Sequence, residues 1–367
     1  KRLNFLHAGW PGGLVLGGLI VTFLGDWANE NWLVLIAVVL IPAVVYLFML
    51  LSVTFPVNER VAGGATYRDM LAEFGVICAF IASWLICAQL AQVFGWSVAT
   101  TWILTAMLTI AYGAYARSVG RPIMIVLVLI MIPLAITELG TDSWITNLME
   151  EPLREIGWHP ILVLVYTSAI MMFLRFNVGP IVAKTGPLGL LALSAIAAII
   201  GLFLLSSAHS LVFIFVAATV YALGKTFFWP TMLGVVAEQC PRGGAMTLNS
   251  IAGIGMLSVG ILGVPLIGYF QETTMLDAAR KENPAVVETI TRDQSYILGQ
   301  YQAIDPAKLA EQPAEVQTAL RPIIERSNQS SLRKITIFPI IMLVGYIGLI
   351  LYFKSRGGYK PIALADH

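Results

Sequence analysis

Long apolar runs separated by short polar links fill most of this chain. The runs cover about Leu6–Leu24, Trp32–Thr54, Leu71–Phe94, Ser97–Ala116, Pro122–Leu148, Ile161–Phe176, Leu188–Leu205, Leu211–Val236, Thr247–Phe270 and Ile335–Phe353. A helix rises ~1.5 Å per residue, so such runs match the ~30 Å hydrocarbon core of a bilayer. The pattern predicts an all-α, polytopic membrane protein with about ten transmembrane helices. Almost nothing joins the runs ending at Phe94 and beginning at Ser97, which predicts an antiparallel helical hairpin over 71–120. The polar stretch 55–70, with Gly63-Gly64, reads as a linker and hinge between bundles. The segment 271–334 breaks the pattern: it is polar, nearly balanced in charge, and contains fragments able to form amphipathic helices.

The first run carries Gly9, Gly13 and Gly17 at four-residue spacing, with Gly12 and Gly18 beside them. Such a stripe predicts close packing of two helices. Pro133 and Pro265 predict kinks, and a kinked span can serve as a gate.

Composition agrees with the pattern. Hydrophobic residues make up 58% of the 367 positions and charged residues only 12%, about half the charged share of a soluble domain. The net charge of +1 says nothing about partners by itself, and no basic patch suggests nucleic acid. The distribution of charge is more informative. Lys1, Arg2, Arg60, Arg68, Arg117, Arg121, Arg175, Lys184, Arg242, Lys354, Arg356 and Lys360 all fall on one side, at run ends or in links, whereas Arg154 alone occupies the short links opposite. The positive-inside rule then places both termini in the cytoplasm and the segment 271–334 outside.

Two ions interrupt the apolar runs and are the first candidates for chemistry. Lys225 stands near the middle of Leu211–Val236, and Glu138 lies well inside Pro122–Leu148. Ionisable groups at such depth are costly unless they face protein, water or a counter-charge. Catalytic and cofactor signatures are missing. The sequence has no HExxH, GxSxG or P-loop pattern, and its three cysteines (Cys78, Cys87, Cys240) have neither zinc nor redox spacing. The four histidines (His7, His159, His209, His367) sit near run ends or the terminus. No cofactor and no metal are expected.

Several segments resemble the major facilitator superfamily of transporters. Phe173-Leu174-Arg175-Phe176-Asn177-Val178-Gly179-Pro180 with Lys184-Thr185-Gly186-Pro187 resembles that family's Gly- and Arg-containing loop, without its usual acidic residue. Gly224-Lys225 with Pro230-Thr231, then Glu238 and Pro241, is similar to the tenth helix and its exit. Glu138, Asp142 and Trp144 look like the end of the seventh helix in sugar-permease-like members, and Asn4, His7, Ala8 and Pro11-Gly12-Gly13 resemble the fifth. The resemblance implies that the chain starts at the fifth helix. Residues 1–54 would be the last two helices of an N-terminal bundle, 71–120 an extra hairpin as in fourteen-helix members, and 121–367 a C-terminal six-helix bundle.

The same resemblance implies alternating access by a symporter for a small polar solute, sugar-like and coupled to protons, in the bacterial inner membrane. It makes the spans carrying Glu138 and Lys225 line a central cavity. Counted along straight helices, Glu138 lies about 23 Å and Lys225 about 17 Å from the cytoplasmic ends of their spans, so a Glu138–Lys225 interaction, direct or through water or substrate, is expected. The substrate-binding or coupling set is Glu138, Asp142, Trp144, Lys225, Trp229, Asn249 and His7. Trp144 and Trp229 are able to stack on a sugar ring, or to anchor a helix at the interface. Gln89, Gln92 and Asn249 either bridge helices or line the cavity. A membrane-embedded enzyme acting on a lipid-linked substrate is the alternative.

Overall fold

The computed structural model describes residues 2–25, 27, 30–154, 157–296 and 299–362. Lys1, counted above in the charge asymmetry, lies outside the described residues. Nine helices are long and apolar enough to cross a membrane among the described residues, and Leu162–Phe176 is a shorter apolar helix. The chain is an integral membrane protein of predominantly helical structure.

The first run forms α1 (Gly9–Leu24), and the second contains α2 (Leu40–Leu51). The hairpin is α3 (Tyr67–Phe94) and α4 (Val98–Ala116). Its turn follows from the sequence. Gly95 ends α3 in the left-handed conformation, and the Ser97 hydroxyl accepts from the Thr100 N–H to start α4. Thr66 and Asp69 form a reciprocal capping box at the start of α3.

The next span is a composite. It consists of α5 (Pro122–Ala135), a π-helical turn (Ile136–Gly140) and α6 (Thr141–Leu148). After α7 (Leu162–Phe176) come α8 (Gly179–Leu205), α9 (Leu211–Lys225) and α10 (Phe228–Gln239). The link expected over 177–187 is instead mostly helical: α8 begins at Gly179 and bends at Gly186, whose φ of +67° suits glycine. A second composite follows: α11 (Gly244–Ser258), a π-helical turn (Val259–Gly263) and α12 (Val264–Glu282). Pro133 and Pro265 flank the two π turns, so both prolines sit beside helix irregularities as expected of residues that remove a backbone donor. The π turns pack on each other. A Cβ on Gly263 would stand 2.9 Å from the Ile136 side chain, and one on Gly140 3.4 Å from Ile267.

The segment 271–334 is more ordered than a polar loop. α12 carries on to Glu282, well past the apolar run. An antiparallel hairpin follows, β1 (Thr291–Tyr296) on β2 (Gly299–Ile304), then α13 (Ala314–Ser330). Leu276, Ile290, Ile304 and Leu320 give this cap its own small core. The two strands depart from an all-α reading, but they lie outside the membrane-length helices. The last span is α14 (Ile337–Ser355).

Two ends of the bundle are distinguishable. At the basic end, Glu73 accepts from Arg121 (3.2 Å) and from the Gly243 N–H (2.7 Å), tying α3 to the start of α11. At the capped end, the Gln329 amide donates to the Leu205 and Ala208 carbonyls between α8 and α9. The main core fills the space among α5, α8, α9, α10, α11 and α14.

The glycine stripe works differently from the expectation. Gly9, Gly13 and Gly17 face open space, whereas Gly12 and Gly18 meet Met172 and Val165 of α7. All three cysteines are free and buried.

A candidate transport site at the middle of the bundle

Lys225 ends α9 about 21 Å from either end of the span Leu211–Gln239. Its place is fixed by close approach of α8 and α9. A Cβ on Gly201 would lie 2.4 Å from the Tyr221 N, and one on Gly224 would lie 2.4 Å from the Ala198 N. Only hydrogen at these positions lets the backbones come so near. Tyr221 and Lys225, one turn apart, are thereby presented to the composite span. The Tyr221 hydroxyl donates to the Thr137 carbonyl at 2.7 Å, and its ring lies 5.3 Å from the Lys225 ammonium.

The partner of Lys225 is Asp142, whose Oδ1 accepts directly from the ammonium. Glu138 pairs with Arg175 at 2.6 Å. All four side chains are at most 7% exposed. Glu138 and Lys225 therefore make no direct pair; each takes another partner, in two adjacent pairs with the acids one turn apart on the interrupted span. Helical side chains lean toward the N-terminus of their own helix. Antiparallel spans make Lys225 and Asp142 lean toward each other, an effect that counting rises along straight axes leaves out.

Arg175 differs most from its expected setting. It belongs to the last turn of α7 and is buried, not part of a solvated link. The apolar run ends at Phe176, which hid how far a guanidinium reaches back along its helix. Nε donates to the Thr226 carbonyl (2.8 Å), Nη1 to the His7 carbonyl (2.9 Å) and Nη2 to Glu138. One rigid fork thus ties the first span, α9 and the composite span together. Glu138 uses its other oxygen to accept from the Trp229 N–H at 3.1 Å. The second oxygen of Asp142 is buried and meets no donor among the described residues.

A cavity of about 210 Å³ adjoins this network, lined by His7, Trp10, Glu138, Leu139, Arg175, Trp229 and Met256. His7, Glu138 and Trp229 of the expected set thus share one wall system. His7 is oriented by a 2.8 Å contact between its Nδ1 and the Leu3 carbonyl. Asp142 and Lys225 lie behind the cavity in the protein interior. Trp144 lines a different, larger cavity toward the capped end, together with Gln92. Asn249 is exposed on α11 and lines neither of these cavities. The described residues contain no group of His, Cys, Asp and Glu arranged to hold a metal ion.

Compared with family models, curated proteins and solved structures, the chain matches none of them.

Proposed function

We propose that this protein is a secondary active transporter of the major facilitator type, moving a small polar, sugar-like solute by alternating access with proton coupling. In this reading the basic end faces the cytoplasm of a bacterial cell, and the cap over 271–334 lies outside the inner membrane. The carrying observation is the double ion pair on one interrupted span, with one pair exposed to a cavity at mid-bundle. Buried charge pairs contribute little net stability, because desolvation offsets much of their attraction. Within a membrane they are typically working groups.

The arrangement supplies what a carrier needs. Arg175 and Lys225 join α7 and α9 to the acids of the composite span by bonds inside the 121–367 bundle. Of these groups Arg175 also reaches the 1–54 pair, through the His7 carbonyl bond that moving one bundle against the other must break. Solute hydroxyls are suited to replace these bonds, with Glu138 and Arg175 as acceptor and donor at the cavity wall and Trp229 as an apolar face. Asp142 has a free buried oxygen able to take a proton when Lys225 is displaced. π turns often mark functional positions in helices, and this one carries Glu138.

The test is uptake of labelled hexoses and polyols into proteoliposomes under an inward proton gradient. Saturable uptake, abolished by a protonophore and by Lys225→Met, is the expected result. Absence of flux, with turnover of a lipid-linked sugar instead, would transfer the site to the membrane-enzyme alternative.

A further inference from the structure

A second cavity, of about 790 Å³, lies between the hairpin α3–α4, the start of α12 and the β-hairpin of the cap. It is separate from the ion-pair network. Four of the chain's nine tryptophans line it: Trp84, Trp96, Trp102 and Trp144. Two are held in place by neighbouring rings. Trp102 stacks on Phe80 (centroids 6.4 Å apart, 19° between planes), and Trp96 on Phe94 (5.9 Å, 22°). Trp144 lies close to Gly268 of α12.

Polar groups enter the same space. Glu272, Gln92 and Gln294 line it, and the Tyr301 hydroxyl donates to Glu272. Tyr301 also stands edge-on to Tyr269 at 5.1 Å, fixing the strand against α12. The cap therefore supplies a polar rim, while the hairpin supplies an aromatic wall.

This combination selects among ligand classes. An acyl chain gains from the indoles but strands a carboxylate and two amides against hydrocarbon. A small quaternary ammonium fits an aromatic cage with one acid, but it has no use for the amides and fills little of the volume. A pyranose has flat C–H faces for indoles and rings of hydroxyls for planar amides and carboxylates. The volume lies in the range of pockets that enclose a whole small ligand.

We propose that this cavity is a saccharide-binding vestibule, sized for a mono- or disaccharide and distinct from the mid-bundle site. The inference shares with the transport reading the class of solute, but not the residues.

The experiment uses the full chain in phosphatidylcholine nanodiscs, prepared without sugar detergents. Tryptophan fluorescence is titrated with glucose, galactose, maltose and lactose, with tetramethylammonium and added phospholipid as comparison probes. Saturable change with at least one saccharide is expected. Trp102→Ala and Glu272→Gln should each weaken it at least tenfold while the melting temperature stays within a few degrees, and Trp158→Phe, at a residue that lines neither cavity, should leave the affinity unchanged. Gln92→Ala, at an exposed position, gives the same readout should Trp102→Ala fail to fold. Three results overturn the inference: no saccharide binds, only tetramethylammonium or lipid binds, or binding is lost in Trp229→Phe and kept in the vestibule variants. Vestibule binding without solute flux would support the inference and count against the transport reading. Solute flux with no saccharide binding that depends on Trp102 or Glu272 would do the reverse.

Discussion

Glu73 at the basic end and Glu138 at mid-bundle are both buried glutamates paired with arginine, yet they sit in different surroundings. Arg121 keeps about a quarter of its side chain exposed, at 27%, and Glu73 takes a second bond from a backbone N–H where α11 begins. Arg175 is 1% exposed, and its donors go to three separate elements. The first pair works as a clasp near water, tolerant of losing one partner. The second leaves nowhere for an unpaired charge to go. The comparison shows that depth, more than residue type, decides what an ion pair does in this fold.

Substitutions sharpen that contrast in order of size. Arg175→Met strands Glu138 and removes three donor contacts, so a loss of about 3–5 kcal/mol is expected. Thermal melts and size-exclusion profiles of the purified protein should show the largest drop of the series, and wild-type stability would end the distinction between the two pairs. Lys225→Met should cost a comparable but smaller amount, since only one bond to Asp142 is removed. Glu73→Gln keeps an acceptor for the Gly243 N–H but loses charge assistance, and about 1–2 kcal/mol is expected. Least affected should be Glu150→Gln. Its i,i+4 partner Arg154 and Glu150 itself are 67% and 47% exposed, and such a pair is worth at most ~1 kcal/mol. A reversal of the last two would mean that the basic-end clasp is no more than a surface contact.

The spans were legible from the sequence because the bilayer sets their length, and the ions at 138 and 225 were legible because they interrupt apolar runs. Their pairing was not. Treating both spans as straight helices ignored the π turn at 136–140 and the lean of side chains toward each helix N-terminus. The family-like loop pattern around 173–187 points Arg175 toward a cytoplasmic loop, and the end of the apolar run one residue later does not show how far its guanidinium reaches back into the bundle. The glycine stripe was visible, but which of its faces meets α7 depends on the rotation of α1, and sequence spacing does not fix that. The cap was unreadable for another reason. Its core of Leu276, Ile290, Ile304 and Leu320 is assembled from short, polar-rich pieces with no long periodic signal.

In the proposed transporter the buried pairs are moving parts and not fixed struts. The double variant Asp142→Asn with Lys225→Met tests this most directly, because it removes both charges and leaves neither stranded. Both stability and solute uptake in proteoliposomes should be measured beside the single variants. The double variant should melt closer to wild type than Lys225→Met does and still fail to transport. A double variant that regains stability and full uptake together would contradict a moving role for the pairs.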